Sequence, residues 1–209
     1  MSGSQRFAYY DRLSAKQQET YRKSDAIARI SLPDPAALRK LVVRLEEALA
    51  TGKRARVASA STALAAAMMK QLDVVGPKIH VREVRPQLED GELHGLYTFA
   101  QDDAPPKLEV WMRTAAHCKV VRFRTFLRTL VHELAHHLDV TLFQLEDSFH
   151  TEGFFRRESS LVRQLAPRSK DAQDEESPLP AAAKAAARTK KKAPTPKRPH
   201  RPFVQLDLF

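Results

Sequence analysis

The segment His-Glu-Leu-Ala-His places two histidines, His132 and His136, four positions apart, with the carboxylate of Glu133 next to the first. In a helix that turns about 100° per residue, the two histidines lie about 40° apart on one face, where both can bind one metal ion. Glu133 then lies beside the water molecule that such a metal holds. It can take the proton of that water during attack on a carbonyl group. The spacing therefore predicts a zinc-dependent hydrolase that cleaves peptide bonds.

These residues must lie on a helix, and the sequence around them has helical periodicity. Apolar residues recur at helical spacing along one face: Phe123, Phe126, Leu127, Leu130, Val131, Leu134 and Leu138. Polar residues follow a different face: Thr125, Thr129, His132, His136 and Asp139. The separation favours a helix that packs with one face and presents the motif on the other. The alternative is a buried helix whose polar face matches the motif by chance.

A catalytic zinc ion needs a third protein ligand and keeps one position open for water. The favoured residue is His150, because imidazole suits zinc and because this residue opens a second helical pattern that can cross the first. Nearby carboxylates are the competing ligands: Glu146, Asp147, Glu152 and Glu158. Asp139 is interpreted as the acceptor for the outer ring nitrogen of a ligand, with a solvent-facing carboxylate as the alternative. His137 points elsewhere and is interpreted as structural.

The motif followed at this distance by His-x-x-x-Phe resembles the SprT-like zinc peptidases, the group that includes the Spartan DNA–protein crosslink proteases. The resemblance covers about residues 36–166. It implies three zinc ligands: His132, His136 and His150. It also implies Glu133 as the catalytic acid/base and Phe154 as the aromatic residue that packs after the third histidine. Thr151 follows that histidine here, where the family usually has glycine.

The elements that would carry this site follow the order helix, small mixed sheet, active-site helix. Helices are predicted at 14–30, 33–51 and 61–72, a short strand at Val57, and longer strands at 79–84, 93–99 and 108–112. This order predicts an α+β fold, a minimal zincin-like domain over residues 33–166 preceded by a helical segment, 1–32. The strand at 108–112 is the predicted edge strand beside the metal, where a substrate backbone could pair, with an ordinary core strand as the alternative.

Residues 167–202 have the composition of a disordered linker, rich in Ala, Lys, Arg and Pro. They hold ten Lys/Arg and four Asp/Glu, which is +6 of the formal net charge of +10. Eight basic residues follow one another without an acidic residue among them: Lys184, Arg188, Lys190, Lys191, Lys192, Lys197, Arg198 and Arg201. Such a polycation predicts contact with the DNA backbone without reading of bases. The alternative is a tail that only improves solubility.

The last residues form the segment 203–209, which contains Gln205, Leu206, Asp207, Leu208 and Phe209. This pentapeptide resembles the motif by which bacterial replication and repair proteins bind the DNA polymerase III beta sliding clamp. The glutamine offers an amide for hydrogen bonds to backbone, while Leu208 and Phe209 can fill an apolar pocket. The alternatives are a hydrophobic end that folds back on its own domain, or a chance match.

Composition favours an intracellular, soluble protein. The sequence has no apolar run of signal-peptide or membrane-spanning length, so we expect a cytoplasmic, nucleoid-associated protein without a membrane partner. A single cysteine, Cys118, excludes an intramolecular disulfide framework and a cysteine-based zinc knuckle. We expect it to be a small core residue.

Together these features predict a zinc-dependent peptidase tethered to the replication sliding clamp, which cleaves proteins on or near DNA. Crosslinked or stalled DNA-bound proteins are the predicted substrates. The first alternative is a clamp- and DNA-binding adaptor with a zincin-like fold and no peptidase activity, and an intact Glu133 argues against it. The second is a general cytoplasmic peptidase whose tail has no role in replication.

Overall fold

The computed structural model of the protein describes residues 7–89, 91–101 and 104–166. Within these residues the fold is mixed α+β, with five α-helices and a small mixed sheet, so the predicted fold class is confirmed at this level. The helices are α1 (Ala15–Ala26), α2 (Pro35–Ala50), α3 (Arg54–Gln71), α4 (Phe123–Thr141) and α5 (Glu152–Leu165). The strands are β1 (Lys78–Val84), β2 (Gln87–Leu88), β3 (Gly91–Glu92), β4 (Gly95–Thr98) and β5 (Lys107–Arg113).

The first two helices begin where capping residues allow. The Ser14 hydroxyl accepts a hydrogen bond from the backbone N–H of Gln17, whose side chain in turn accepts from the Ser14 N–H. Asp34 accepts from the backbone N–H of Ala37, and Pro35 occupies the first helical position, where its missing N–H costs nothing. The predicted start of each helix is therefore confirmed, although α1 ends at Ala26, before Ile30.

Two local predictions are wrong. Val57 does not form a strand, because it lies near the start of α3 and is fully buried there. It shares a buried face with residues at helical spacing: Ser61, Leu64, Ala65, Met68 and Met69. Cys118 is exposed rather than part of the core, and it follows the turn at residues 115–117 with a left-handed backbone at φ +50°. One apolar residue type does not show whether its segment is a strand or a helix, and one cysteine does not show whether it is buried, because packing over the whole domain decides both.

The sheet has the strand order β1-β5-β4. Strand β1 runs parallel to β5, with Val81 opposite Val110, whereas β4 runs antiparallel to β5, with Gly95 opposite Val110. The prediction that 108–112 is an edge strand is wrong, because β5 is the central strand and all five of these residues are buried. A continuous buried run is typical of a strand covered on both faces. Strand β4 lies at an edge of this sheet instead.

Helix α4 carries the predicted motif through the centre of the domain. Every residue from 129 to 139 is buried, and the helix lies against β4, β5 and α5. Its leucines at positions 127, 130, 134 and 138 belong to the main hydrophobic core, with side chains from α2, α3, β1 and β5. The predicted apolar face is thereby confirmed. The other side of the same helix is left to face α5 and the segment that precedes it.

The N-terminal part of the chain packs onto α5. The carboxylate of Asp25, in α1, accepts a hydrogen bond of 2.9 Å from the backbone N–H of Gly153. A Cβ atom at Gly153 would overlap the backbone of Asp25, so a glycine is needed for this close approach. No helix among the described residues is both long and apolar enough to cross a membrane.

Candidate metal centre

Three histidines converge at the junction of α4 and α5. His132 and His136 come from α4, while His150 comes from the segment just before α5. Their Nε2 atoms form a triangle, at 2.9 Å between His132 and His150, 3.1 Å between His136 and His150, and 3.2 Å between His132 and His136. The structure thus brings together the three residues predicted as ligands, close enough to bind one metal ion.

The spacing of these atoms fits a small tetrahedral ion. Zinc–nitrogen bonds of about 2.0–2.1 Å at tetrahedral angles place two ligand nitrogens about 3.3–3.4 Å apart. The observed separations of 2.9–3.2 Å are slightly shorter, so a modest outward shift of the rings would accommodate the ion. A set of three histidines also leaves one tetrahedral position for water, as a catalytic zinc site requires.

The outer ring nitrogens, Nδ1, have hydrogen-bond partners that determine whether the inner nitrogens, Nε2, carry a hydrogen or a lone pair. The Ser148 hydroxyl donates to Asp139 Oδ2 at 2.6 Å, so it accepts from His136 Nδ1 at 2.7 Å. His132 Nδ1 lies 3.4 Å from Glu158 Oε2. The other oxygen of this carboxylate, Oε1, accepts a hydrogen bond from Arg128. A hydrogen on each Nδ1 leaves a lone pair on each Nε2 of these two histidines. Lone pairs converging at about 3 Å favour a shared cation between them.

An aromatic side chain supports all three rings from one side. Phe154 is fully buried, stacks on His136 with ring centroids 4.5 Å apart, and meets His132 and His150 edge-on at 4.9 and 5.1 Å. Phe155 stacks on His150 at 5.4 Å. These ring contacts restrict rotation of the three imidazoles, because close packing on one side leaves little space for a ring to turn.

Glu133 is buried between α4 and the edge strand β4, with 1% of its surface exposed. A Cβ atom at Gly95, the first residue of β4, would overlap the Glu133 carboxylate. The backbone of an edge strand therefore lies directly against the predicted catalytic carboxylate. Neither β4 as the edge nor Gly95 was identified from the sequence, because strand order depends on pairing between distant segments.

None of the four carboxylates that competed with His150 belongs to the cluster that could hold a metal ion among the described residues, which consists of the three histidines. Glu146 pairs with Lys16, and Glu152 pairs with Arg156. The other two lie near the three histidines: Asp147 accepts from the Ser148 backbone N–H, and Glu158 faces the outer ring nitrogen of His132. Burial raises the pKa of the Asp147 carboxyl, against the effect of this hydrogen bond.

Asp139 was predicted to accept directly from the outer ring nitrogen of a histidine. Instead, the Ser148 hydroxyl lies between Asp139 and His136. Burial raises the pKa of the Asp139 carboxyl, while the neighbouring Arg157 guanidinium acts in the opposite direction. Ser148 was not singled out in the sequence, since a serine two residues before a histidine forms no recognisable pattern.

His137 points away from the other histidines, as expected. Its Nε2 lies 2.7 Å from the backbone oxygen of Val75, and its Nδ1 lies 3.0 Å from the Tyr97 hydroxyl. Burial lowers the pKa of its imidazole. His137 therefore ties α4 to the segment before β1 and to β4, which fixes the strand beside Glu133.

The predicted DNA-binding residues between 184 and 201 and the predicted clamp-binding residues 205–209 lie outside the described residues. No family model matches the chain, and no curated protein or solved structure matches it either. The geometry around the three histidines is therefore the feature of the chain that bears most directly on its function.

Proposed function

We propose that this protein is a zinc-dependent peptidase of the SprT-like, zincin-like type. The observation that carries the proposal is the triangle of Nε2 atoms, with a buried glutamate on the next residue after the first ligand. A structural metal site needs no such carboxylate, whereas a hydrolytic site needs a group that can accept and return a proton. His132, His136 and His150 would hold the ion.

The reaction assigned to this site is hydrolysis of a peptide bond. Bound zinc supplies a Lewis acid that lowers the pKa of water towards about 7. The Glu133 carboxylate accepts one proton from the attacking water while the water oxygen forms a bond to the carbonyl carbon of the substrate. Glu133 then donates that proton to the amine nitrogen as the carbon–nitrogen bond breaks. The backbone at Gly95 lies close against this carboxylate and limits the space in which it can move.

The edge strand supplies a place for the substrate backbone. Strand β4 pairs with β5 on one side, and no strand within the described residues pairs with its other side. An extended peptide can add to such an edge through main-chain hydrogen bonds, which are independent of side-chain identity. Because β4 begins against Glu133, a peptide bound in this way passes the proposed base. This arrangement favours unfolded or extended protein segments as substrates.

A substitution at Gly95 tests the role of this contact. The added methyl group of Gly95→Ala must displace the Glu133 carboxylate, so we expect an intact fold with a misplaced base. Displacing a catalytic group by about 1 Å costs about 10²-fold in rate. Cleavage assays should show a fall in kcat of about this size, while zinc content and thermal stability stay near those of the wild type. An unchanged kcat would contradict the proposed contact.

The peptidase proposal is tested directly by metal removal. The full chain, loaded with zinc, is incubated with an unfolded protein substrate in the presence and absence of DNA. We expect cleavage that stops after chelation and returns when about one zinc ion per chain is added back. Cleavage that survives complete removal of metal, or no cleavage under any of these conditions, would contradict the proposal. In the latter case the adaptor function becomes the better explanation.

The C-terminal sequence supports a proposal about where the peptidase acts. We propose that residues 205–209 bind the bacterial sliding clamp and that the basic residues between 184 and 201 contact DNA phosphates. The apolar pair of the pentapeptide fits a pocket, and eight positive charges without an acidic neighbour fit a polyanion. Proteins bound or crosslinked to DNA near the replication machinery are then the proposed substrates.

The clamp contact has its own test. Leu208→Ala combined with Phe209→Ala removes both apolar anchors, so we expect clamp binding to be lost in a titration of the full chain. Peptidase activity towards a substrate free of DNA should be unchanged, because the described domain is intact in this variant. Gln173→Ala, in the same tail but outside the motif, is the matched control. Equal binding by the double variant and the wild type would remove the link to replication.

A further inference from the structure

Arg157, in α5, is the largest fully buried side chain of the described residues, and it is neither one of the proposed metal ligands nor the proposed base. Its Nε donates to Asp139 Oδ1 at 2.9 Å, and a terminal nitrogen donates to Asp139 Oδ2 at 2.6 Å. The remaining donors reach the end of α1: the backbone oxygen and hydroxyl of Ser24, at 2.9 and 2.8 Å, and the backbone oxygen of Ile27, at 3.1 Å. These bonds hold the Asp139 carboxylate and the end of α1 in a fixed geometry around the guanidinium.

The hydrogen bonds of Arg157 continue to a metal-binding histidine. Asp139 Oδ2 accepts from the Ser148 hydroxyl, which accepts from His136 Nδ1. A second route runs through an aromatic ring, since the guanidinium carbon lies 5.0 Å from the centroid of Phe154, which stacks on the His136 ring. The guanidinium thus constrains the orientation of one imidazole from two directions.

We propose that Arg157 is a positioning residue for the metal centre, and that the N-terminal segment, residues 7–26, completes this centre by supplying partners to it. The inference rests on the metal site of the proposed function but not on peptidase activity. Outer partners that orient a ligand raise metal affinity, because they fix both the tautomer and the ring plane before the ion binds. Arg157 orients His136 in this way through Asp139 and Ser148. Ser24 fixes the Arg157 side chain, because its backbone oxygen and hydroxyl accept hydrogen bonds from the guanidinium.

The N-terminal segment reaches the third ligand independently. The Tyr9 hydroxyl donates to the backbone oxygen of His150 at 2.8 Å, which fixes the segment just before α5. Asp25 accepts from the backbone N–H of Gly153 in the first turn of the same helix. Two of the three ligands are therefore restrained by contacts with residues 7–26, more than one hundred positions earlier in the chain.

A structural role for Arg157 would give different results from a positioning role. Removing one member of a buried ion pair destabilises a protein wherever the pair lies. Only a positioning residue changes metal binding in a way that depends on Ser148. The two roles are separated by measuring zinc affinity of the folded full chain, with a competing chelator of known affinity, for single and double variants.

The expected results concern Arg157→Lys, Ser148→Ala and the double variant. Each single substitution should weaken zinc binding by about 10-fold or more. The zinc affinity of the double variant should fall by much less than the product of the two fold-losses seen in the single variants. The reason is that both residues act along one path. The matched control is Arg85→Lys, which alters another buried arginine, bonded to Glu92 and His94. Its zinc affinity should stay within about 2-fold of the wild type.

Two further variants keep the proposal testable if Arg157→Lys does not fold. Ser24→Ala and Tyr9→Phe each remove one hydroxyl from the N-terminal segment and should weaken zinc binding by about 3-fold or more. The visible absorption of the cobalt-loaded chain should also shift in these variants, since it reports ligand geometry. Wild-type zinc affinity and cobalt spectra in both, or multiplicative effects of Arg157→Lys and Ser148→Ala, would overturn the proposal. Because no peptide is cleaved in these measurements, they are independent of whether the protein is a peptidase.

Discussion

Glu133→Gln is expected to stop cleavage of protein substrates while leaving the fold and the zinc content unchanged. The amide has nearly the shape of the carboxylate and fits the same space beside Gly95, but it cannot accept a proton from water. Loss of general-base catalysis costs at least about 10²-fold in rate. Turnover of an unfolded protein and self-cleavage should both fall by this factor or more, measured by gel or fluorogenic assay with DNA present and absent.

The control for this substitution is Glu109→Gln, which changes a mostly buried glutamate on β5 that pairs with Arg82 and Lys107. It should retain cleavage, because its ion pairs lie on the sheet and not at the three histidines. If wild type and Glu133→Gln cleave at the same rate, the assigned base is wrong. If neither cleaves with DNA present or absent, the adaptor function replaces the peptidase.

His150→Ala is expected to remove most of the bound zinc. Two histidines alone leave a catalytic zinc site without its third protein donor, so the content should fall from about one ion per chain to a small fraction of that. Metal analysis after gel filtration measures this directly. Glu158→Gln should have a smaller effect, about 10-fold in affinity, because Glu158 faces the outer nitrogen of His132 rather than the ion.

The matched control is His117→Ala, which removes an exposed imidazole from the loop between β5 and α4. It should bind zinc as the wild type does. Zinc content that is unchanged in His150→Ala but falls in Glu146→Ala would show that the third ligand is a carboxylate. That result would contradict the Nε2 triangle as the metal site.

Local sequence predicted where α1 and α2 begin, the apolar face of α4, and the placement of His132 and His136 on one face of that helix. The capping residues Ser14 and Asp34 and the periodicity of α4 act over a few positions, so the chain carries these signals in short segments. The spacing of His132 and His136 is likewise a property of one helix. For these features the sequence alone was sufficient, and the structure agrees.

Other features depend on contacts between distant segments, and only the tertiary structure determines them. Four carboxylates and one histidine were open as the third ligand, and only the packing of α5 on α4 brings the His150 ring to the other two. The edge position of β4 follows from its pairing with β5, which no local pattern specifies. Arg157 and Ser24 are 133 positions apart, yet they share a buried hydrogen bond. Such contacts form only when the whole domain excludes water, because that exclusion makes each buried charge require a partner.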